Sequence, residues 1–555
     1  MADDTDFNDV IEDIFLSENT LCQDSYKEGF RVGSEEGNSE GYHLGYHRGA
    51  EIGRELGFYY GTVTNYLEQN KSDENQAETP SEKTIKQLEK VKGLIDTFPH
   101  NNSEHHDILA LLESIRAQYK KVCAMLKISS NNPYAAMETS ITKIHQNLDR
   151  ILKYLNPLLP LANCHMVEFF TENHWDKLLP KNLIQTIDKW DLNYAVEKFW
   201  TYASEPENND NCELRKWIHK AQSHNLTVNN DYCISVEDLE QHLKCWGACL
   251  PPEIKITEFM TSKKSYEVQR MSRLVASLYN ATSSTHCMEA GGGRGHLLVA
   301  LTLGYNVPSL TVDCDDKALK NAAQRVKIIQ VSLHTCGNLG PDSLRIFSSQ
   351  TSTTGLFNVP CCYHLLTEKV DADLFDVFQR DYGCETSEHG FPLSEYLKGY
   401  NLGRNARMLA AQSLDRVLHH RQLPNKSLLY RALFQIIVKT HLPKSNLKDG
   451  KLKRVASKCD NFTQYFKMAD NVLSLGLFDR LPDSYLTDVS NDLNYQWKQI
   501  VMFNLLRLCL AQVIESVVLL DRLLYLFENG YRKSYIVKLF DPVMSPRCHS
   551  IVAVR

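Results

Sequence analysis

The sequence contains no C-x-x-C pair, so neither a standard zinc ribbon nor a thioredoxin-like redox motif is expected. It has no uncharged apolar run of membrane-spanning length. The most apolar stretch, Val501–Phe527, is interrupted by Arg507, Glu515, Asp521 and Arg522. Charges at those depths predict a buried or amphipathic helix rather than a span, and no membrane partner. The acidic opening MADDTDFNDVIEDIF is unlike a signal or transit peptide. There is no basic excess: 61 Lys and Arg stand against 68 Asp and Glu, a net charge of −7. That excludes a generally cationic coat and leaves only a local groove for nucleic acid. With 43% hydrophobic and 23% charged residues over 555 positions, the chain is neither disordered nor fibrous. Its length predicts roughly three to four domains. Sixteen cysteines without an export signal read as reduced thiols of the cytoplasm or nucleus.

The first positive feature is a repeat. Glycine recurs every four residues at Gly29, Gly33, Gly37, Gly41, Gly45, Gly49, Gly53, Gly57 and Gly61. The spacers are helix formers and aromatics, so the period is near helical. Nine glycines cost a helix on the order of 5–9 kcal/mol against alanine. A close-packed neighbour must therefore offset the cost, and a glycine ridge lets a second backbone approach. The stripe drifts toward right-handed wrapping. Charged spacers such as Lys27, Glu28, Arg31 and Glu35 exclude the membrane version of the motif. A flexible glycine linker is the bland alternative. After a polar linker at 70–81, Lys83–Asp96 and Asp107–Leu126 read as an amphipathic helical pair. Their apolar faces are Leu88, Val91, Leu94 and Ile95, and Leu111, Leu112, Ile115, Tyr119 and Val122.

Residues 7–128 thereby resemble the oral-cancer-overexpressed adaptor family, with its Gly-x-x-x repeats and following helical pair. The resemblance implies a non-enzymatic, all-α module. It implies a second glycine-repeat protein as partner, and a link from the cytosolic iron–sulfur targeting machinery to the iron–sulfur ABC ATPase of ribosome recycling. That would connect this part to iron–sulfur cluster assembly and ribosome biogenesis. A linker follows at 129–137, and Met137 opens a different pattern. A two-function protein and a fusion of two unrelated reading frames both fit it.

Residues 138–280 read as mainly helical, with Trp175, Trp190, Trp200, Trp217 and Trp246 as core anchors. Then comes SSTHCMEAGGGRGHLLVALTLGYNVPSLTVDCDD. It reads as a strand (His286–Glu289), a glycine turn (Gly291–Gly295), a helix (His296–Leu303), a strand (Ser309–Val312) and an acid, Asp313. The dinucleotide pattern G-x-G-x-x-G fails, because its third glycine falls on His296. Glu289-x-Gly291-x-Gly293-x-Gly295 instead resembles the first motif of class I S-adenosylmethionine methyltransferases. The resemblance implies that Glu289 helps hold the cofactor's amino group through the turn. It implies that Asp313 takes the ribose hydroxyls, with Asp315 and Asp316 as alternates. A tight turn with no ligand is the other reading. Arg294, within the turn, either meets phosphate or is solvated.

Two segments fall where the next strands end: VSLHTCGN (Val331–Asn338) and FNVPCCYH (Phe357–His364). In open α/β sheets ligands lie beyond the carboxyl ends of strands. His334, Cys336, Cys361, Cys362, Tyr363 and His364 are thus placed as a substrate rim, as packing and strand caps, or as a metal site without zinc-finger spacing. We expect no metal, His334 and His364 as catalytic bases, and Tyr363 as a positioning group.

With EAGGGRGH, LHTCGNL, NVPCCYHLLTE, FPLS, RMLAAQS and FDPVMSPR, residues from about 138 to 555 resemble the methyltransferase-like protein 25 family. The resemblance implies a Rossmann-like α/β methyltransferase core at 281–370. A helical insertion follows at 371–530 and a closing strand pair at 531–555, within Tyr535–Phe540 and Ser550–Val554. A more distant similarity to tRNA 2′-O-ribose methyltransferases favours RNA as acceptor. The 17 residues between Asp313 and Val331 hold a helix (Lys317–Lys327) but no third strand. A catalytically dead binding module is therefore the alternative.

Overall fold

The computed structural model describes residues 49, 52–53, 55–68, 81–99, 107–126, 133–205, 210–226, 232–257, 260–312, 328–369, 389–443, 452, 455, 459–490 and 493–555. Gly29 to Gly45, Asp313, Asp315, Asp316 and the expected helix Lys317–Lys327 lie outside them. The chain divides into two compact units, Met1–Thr139 and Ser140–Arg555.

The first unit packs three helices: α1 (55–68), α2 (Glu82–Asp96) and α3 (Ile108–Leu126). The helix α2 starts where Ser81 caps the backbone of Thr84. Leu56, Tyr59, Val63, Leu88, Val91, Leu112, Ile115, Tyr119 and Val122 form its core. Tyr59 stacks on Tyr119 with ring centroids 4.0 Å apart, and Arg116 meets Glu55 at 2.7 Å. Here the structure departs from expectation. A Cβ added at Gly49, Gly53, Gly57 or Gly61 would meet nothing within 4 Å. Among the described residues no backbone lies close to the ridge at those positions. The aromatic and aliphatic spacers, not the glycines, pack the helix.

The second unit is built on one sheet of seven strands among the described residues: β1 (Cys233–Ile234), β2 (His286–Ala290), β3 (Ser309–Val312), β4 (Ile328–Thr335), β5 (Thr353–Pro360), β6 (Lys533–Lys538) and β7 (His549–Val554). Their order is β1-β6-β7-β5-β4-β2-β3, with β7 antiparallel to both neighbours and every other pairing parallel. The central strands IIQVSLHT and TTGLFNVP are buried nearly throughout, as strands covered on both faces are, although Gln330, Ser332 and Asn358 are polar. Val331, Leu333, Phe357, Val359 and Val552 pack with the helix α4 (Ser262–Ala281) on one face. Leu356, Ile551 and Ala553 pack with Leu344, Phe347 and Leu526 on the other.

Three details differ from the sequence reading. The strand β1, within the stretch expected to be mainly helical, extends the sheet beside β6. The helix after the glycine turn is α-helical only over His296–Val299 and widens into a π-turn at Ala300–Gly304. The apolar stretch expected as one helix is a pair, Leu493–Leu508 and Ala511–Glu528, broken at Cys509 and Leu510. This segment is long and apolar enough to cross a membrane, yet it is 89% buried inside the protein. Several of its charged groups find partners there: Arg507 donates to the Ala162 carbonyl at 2.6 Å, and Asp521 accepts from Ser394 N–H and Oγ at 2.9 and 2.7 Å.

Among the described residues β3 is the sheet edge, and no strand pairs with its outer side. Leu310 on that strand is 49% exposed and Leu303 beside it 79%.

Candidate functional site

The chain runs from β2 to β3 on one side of the sheet, then returns to β4 on the other side of β2. That reversal is the topological switch point, and the crevice outside the carboxyl ends of β2 and β4 is where such sheets bind ligands. The glycine turn and His334 sit at those two strand ends.

Glu289 closes β2 and is 4% exposed. Its Oε2 is buried and has no hydrogen-bond partner. Burial pushes its carboxyl above the usual range, while Lys264 and the Leu298 N–H pull it back. The turn that follows holds left-handed backbone at Gly291 (φ 74°), Gly293 (φ 55°) and Gly295 (φ 69°), conformations that L side chains rarely adopt. Gly291 N–H donates to the Val312 carbonyl at 2.9 Å, which ties the turn to β3. Gly292 needs its hydrogen for another reason: a Cβ there would run into Thr311 Oγ1 and lie 3.0 Å from the Glu289 carboxyl. The expected ribose acid, Asp313, lies outside the described residues, one position beyond Val312.

Lys264, on the first turn of α4, faces the same carboxyl. Burial lowers its ammonium, and Glu267 and Glu289 act against that shift. A buried carboxyl oxygen without a partner, three left-handed glycines and a turn closed to a Cβ at Gly291 and Gly292 but open beside Gly293 and Gly295 fit the amino acid end of an S-adenosylmethionine molecule. Its ammonium would supply the partner that Glu289 Oε2 lacks.

His334 stands at the end of β4 with φ 83°, an uncommon conformation for a non-glycine residue. Its Nε2 lies 3.0 Å from Glu267 Oε2. Glu267 is 1% exposed; its other oxygen accepts from Ser545 Oγ at 2.8 Å and lies 3.4 Å from Lys263 Nζ. Burial pushes that carboxyl up, but His334, Ser545 and Lys263 outweigh it and hold Glu267 below its ordinary range. An ionised carboxylate thus fixes the ring of His334. Glu267 and Ser545 escaped the sequence reading. A signal existed for the first: Glu267 lies on the same helical stripe as Met271, Leu274 and Leu278, an acid on a face that otherwise buries apolar groups.

The second rim segment divides into three environments. Cys361 is buried, with Cys336 Sγ 3.1 Å away. Tyr363 is buried too; its hydroxyl donates to Glu515 at 2.8 Å, and Arg522 and Arg547 flank its ring. Burial, with Glu515 beside it, pushes the Tyr363 phenol well up. His364 is half-buried, and its Nδ1 has no hydrogen-bond partner. Burial lowers its pKa, reinforced by Arg404, Arg407 and Arg547. Beneath them Arg407 and Glu368, both fully buried, pair at 3.0 Å. Arg407 also donates to the carbonyls of Tyr363 and Leu366. Glu368 accepts from Leu402 and Gly403 N–H. This pair braces the loop that carries the rim.

The structure therefore brings Glu289 and the three glycines together as one turn and joins His334 to an unexpected carboxylate. It places the Tyr363 hydroxyl in the interior, against Glu515.

A methyltransferase-domain family model matches residues 320–369, the span that carries His334, Cys336 and the Cys361–His364 segment. The chain is 38% identical over 231 residues to "Probable methyltransferase-like protein 25" of Mus musculus, covering 41% of this chain and 37% of that protein. It is 39% identical over 232 residues to the protein of the same name in Homo sapiens, again 41% of this chain and 37% of that protein. The matched region thus spans well under half the length of these relatives. No solved structure gives a significant match. The chain carries a methyltransferase domain on a mixed, mostly parallel α/β sheet of Rossmann-like form.

Proposed function

We propose that the second unit is an S-adenosylmethionine-dependent methyltransferase. One observation carries this reading: the buried, unpartnered Glu289 oxygen at the foot of a turn whose Gly291, Gly293 and Gly295 are all left-handed. When bound, S-adenosylmethionine supplies a methyl group on a sulfonium for in-line displacement. The chain's own residues do the rest. Glu289 receives the cofactor's ammonium, and the glycine backbone lies against its methionine part. The Glu267–His334 pair presents an oriented imidazole at the end of β4, able to take a proton from an acceptor. Asp313 remains the proposed partner of the ribose.

The test is equilibrium binding of S-adenosylmethionine to the full chain. Saturable binding by the wild type, lost in Gly293→Arg, supports the reading. Absence of binding by the wild type would reduce the domain to a non-catalytic binding module.

A second reading concerns the first unit alone. We propose that it is an adaptor that seats a second glycine-repeat protein on its glycine face. It is supported by the open space beside Gly49, Gly53, Gly57 and Gly61, since each glycine costs helix stability and none of these four is packed by a neighbour among the described residues. Co-purification of the full chain with a glycine-repeat protein from the iron–sulfur targeting pathway tests it. Loss of capture on Gly57→Leu is expected, and undiminished capture contradicts it.

A further inference from the structure

Three thiols converge at the carboxyl ends of β4 and β5. Cys336 Sγ lies 3.1 Å from Cys361 Sγ and Cys361 Sγ 3.7 Å from Cys362 Sγ. All three lie within 4.8 Å of one another. Strand register brings them together: Thr335 pairs with Pro360, so Cys336 and Cys361 leave adjacent strands side by side. A short helical turn over Tyr363–Leu365 then folds Cys362 back onto the pair. Cys336 is exposed, Cys361 buried and Cys362 between them, so the group opens to solvent on one side.

The spacing suits a metal better than plain packing. Zinc–sulfur bonds of about 2.3 Å in a tetrahedron set sulfurs about 3.8 Å apart. Cys361 and Cys362 already stand at 3.7 Å, and Cys336 needs to open by less than about 1 Å. Soft thiolates select zinc over magnesium or calcium. Among the described residues, no fourth Cys, His, Asp or Glu joins the group. Structural zinc sites fill four positions with protein, whereas three protein ligands with one free position is the reactive arrangement. The helix that begins three positions beyond Cys336 reaches the glycine turn: a Cβ at Gly291 would come within 2.9 Å of Cδ2 of its first residue, Leu339.

We propose that Cys336, Cys361 and Cys362 form a three-thiolate zinc site whose fourth position is open to a thiol acceptor. Zinc entry releases three thiol protons to solvent and leaves one net negative charge on the site. The soft ligand set and a thiol's lower pKa favour sulfur over a hydroxyl in the open position. An incoming thiol releases its proton to solvent and binds through sulfur as a thiolate, the form in which sulfur is nucleophilic, and the negative charge of the site keeps it so. The choice of a thiol as occupant rests on the methyl-transfer reading of the neighbouring turn; the metal does not.

The full chain, purified with a phosphine reductant and no thiol, is measured for metal by mass spectrometry. Roughly one zinc per chain is expected. Cys336→Ser and Cys362→Ser each should weaken zinc retention by more than the roughly 10–100-fold that second-shell changes cost. Cys245→Ser and Cys249→Ser, at exposed cysteines elsewhere, should keep it. Cobalt replacement should give a thiolate-to-metal charge-transfer band that shifts when 2-mercaptoethanol is added. Zinc-free wild type, or zinc undiminished in both rim variants, overturns the site. A cobalt band unmoved by 2-mercaptoethanol overturns the open position. Methyl label entering RNA equally with wild type and Cys336→Ser removes the thiol as acceptor. Zinc retained without S-adenosylmethionine binding would sink the methyl-transfer reading and leave the metal site standing.

Discussion

The two flanks of the sheet are built to different standards. On the β5–β7–β6 side, helices cover the strands, and buried charges are held: Arg407 by the ion pair with Glu368, and Asp521 by the Ser394 backbone and hydroxyl. On the β3 side the strand is an edge, with Leu310 and Leu303 open to solvent. The first flank carries the rim from Cys361 to His364; the second carries the cofactor turn. The comparison teaches that the rim lies on the better-braced half, and that the proposed cofactor would be held chiefly by the turn between Glu289 and Gly295.

The sharpest way to break this comparison is at His334, which belongs to the strand between the flanks. His334→Ala should lower turnover by roughly 10²–10⁴, with a smaller loss in Glu267→Gln, which only orients the ring. Equal turnover in all three proteins would remove the pair from the chemistry. Next in size is the brace of the rigid flank. Arg407→Ala leaves Glu368 buried and unpaired, a change that costs about 3–5 kcal/mol, read from chemical denaturation. An unchanged midpoint would mean that the flank is not held by this pair. Gly292→Ala forces a methyl group against Thr311 and Glu289, and overpacking of this kind costs about 1–3 kcal/mol. It should also weaken cofactor binding, and full affinity would show that the cradle has room. Smallest is the open edge: Leu303→Ser should shift stability by no more than about 0.5 kcal/mol. A larger loss would show that something covers it.

Much of this arrangement was legible beforehand. β2, the glycine turn and β3 were visible because glycine spacing and short apolar runs are local signals, whereas the closing strand pair was placed by the family resemblance. The short span between Asp313 and Val331 was legible as plain chain length, and most of it, residues 313–327, lies outside the described residues. What escaped was long-range. Glu267 reaches His334 across 67 positions, and Tyr363 reaches Glu515 across 152. Nothing in sequence spacing encodes such pairings. The charges of 501–527 were recognised as incompatible with a span, but their partners Ala162, Tyr363 and Ser394 were not foreseeable. β1 was missed because a two-residue strand has no period. The glycine ladder was expected to sit against a backbone, and the structure shows its described part open.

Proton linkage tests the turn itself. Burial raises the Glu289 carboxyl, so the folded protein keeps a proton that the unfolded chain has lost. Its contribution to stability therefore falls as pH rises from the ordinary carboxylate range through the raised folded value. A bound ammonium reverses the balance and expels that proton. The decisive measurement is calorimetric titration of the full chain with S-adenosylmethionine in two buffers of different ionisation heat. The account predicts binding with a proton release that grows as the pH is lowered toward the ordinary carboxylate range, and that Glu289→Gln abolishes while weakening affinity. Binding with no proton release, unchanged in Glu289→Gln, would contradict it.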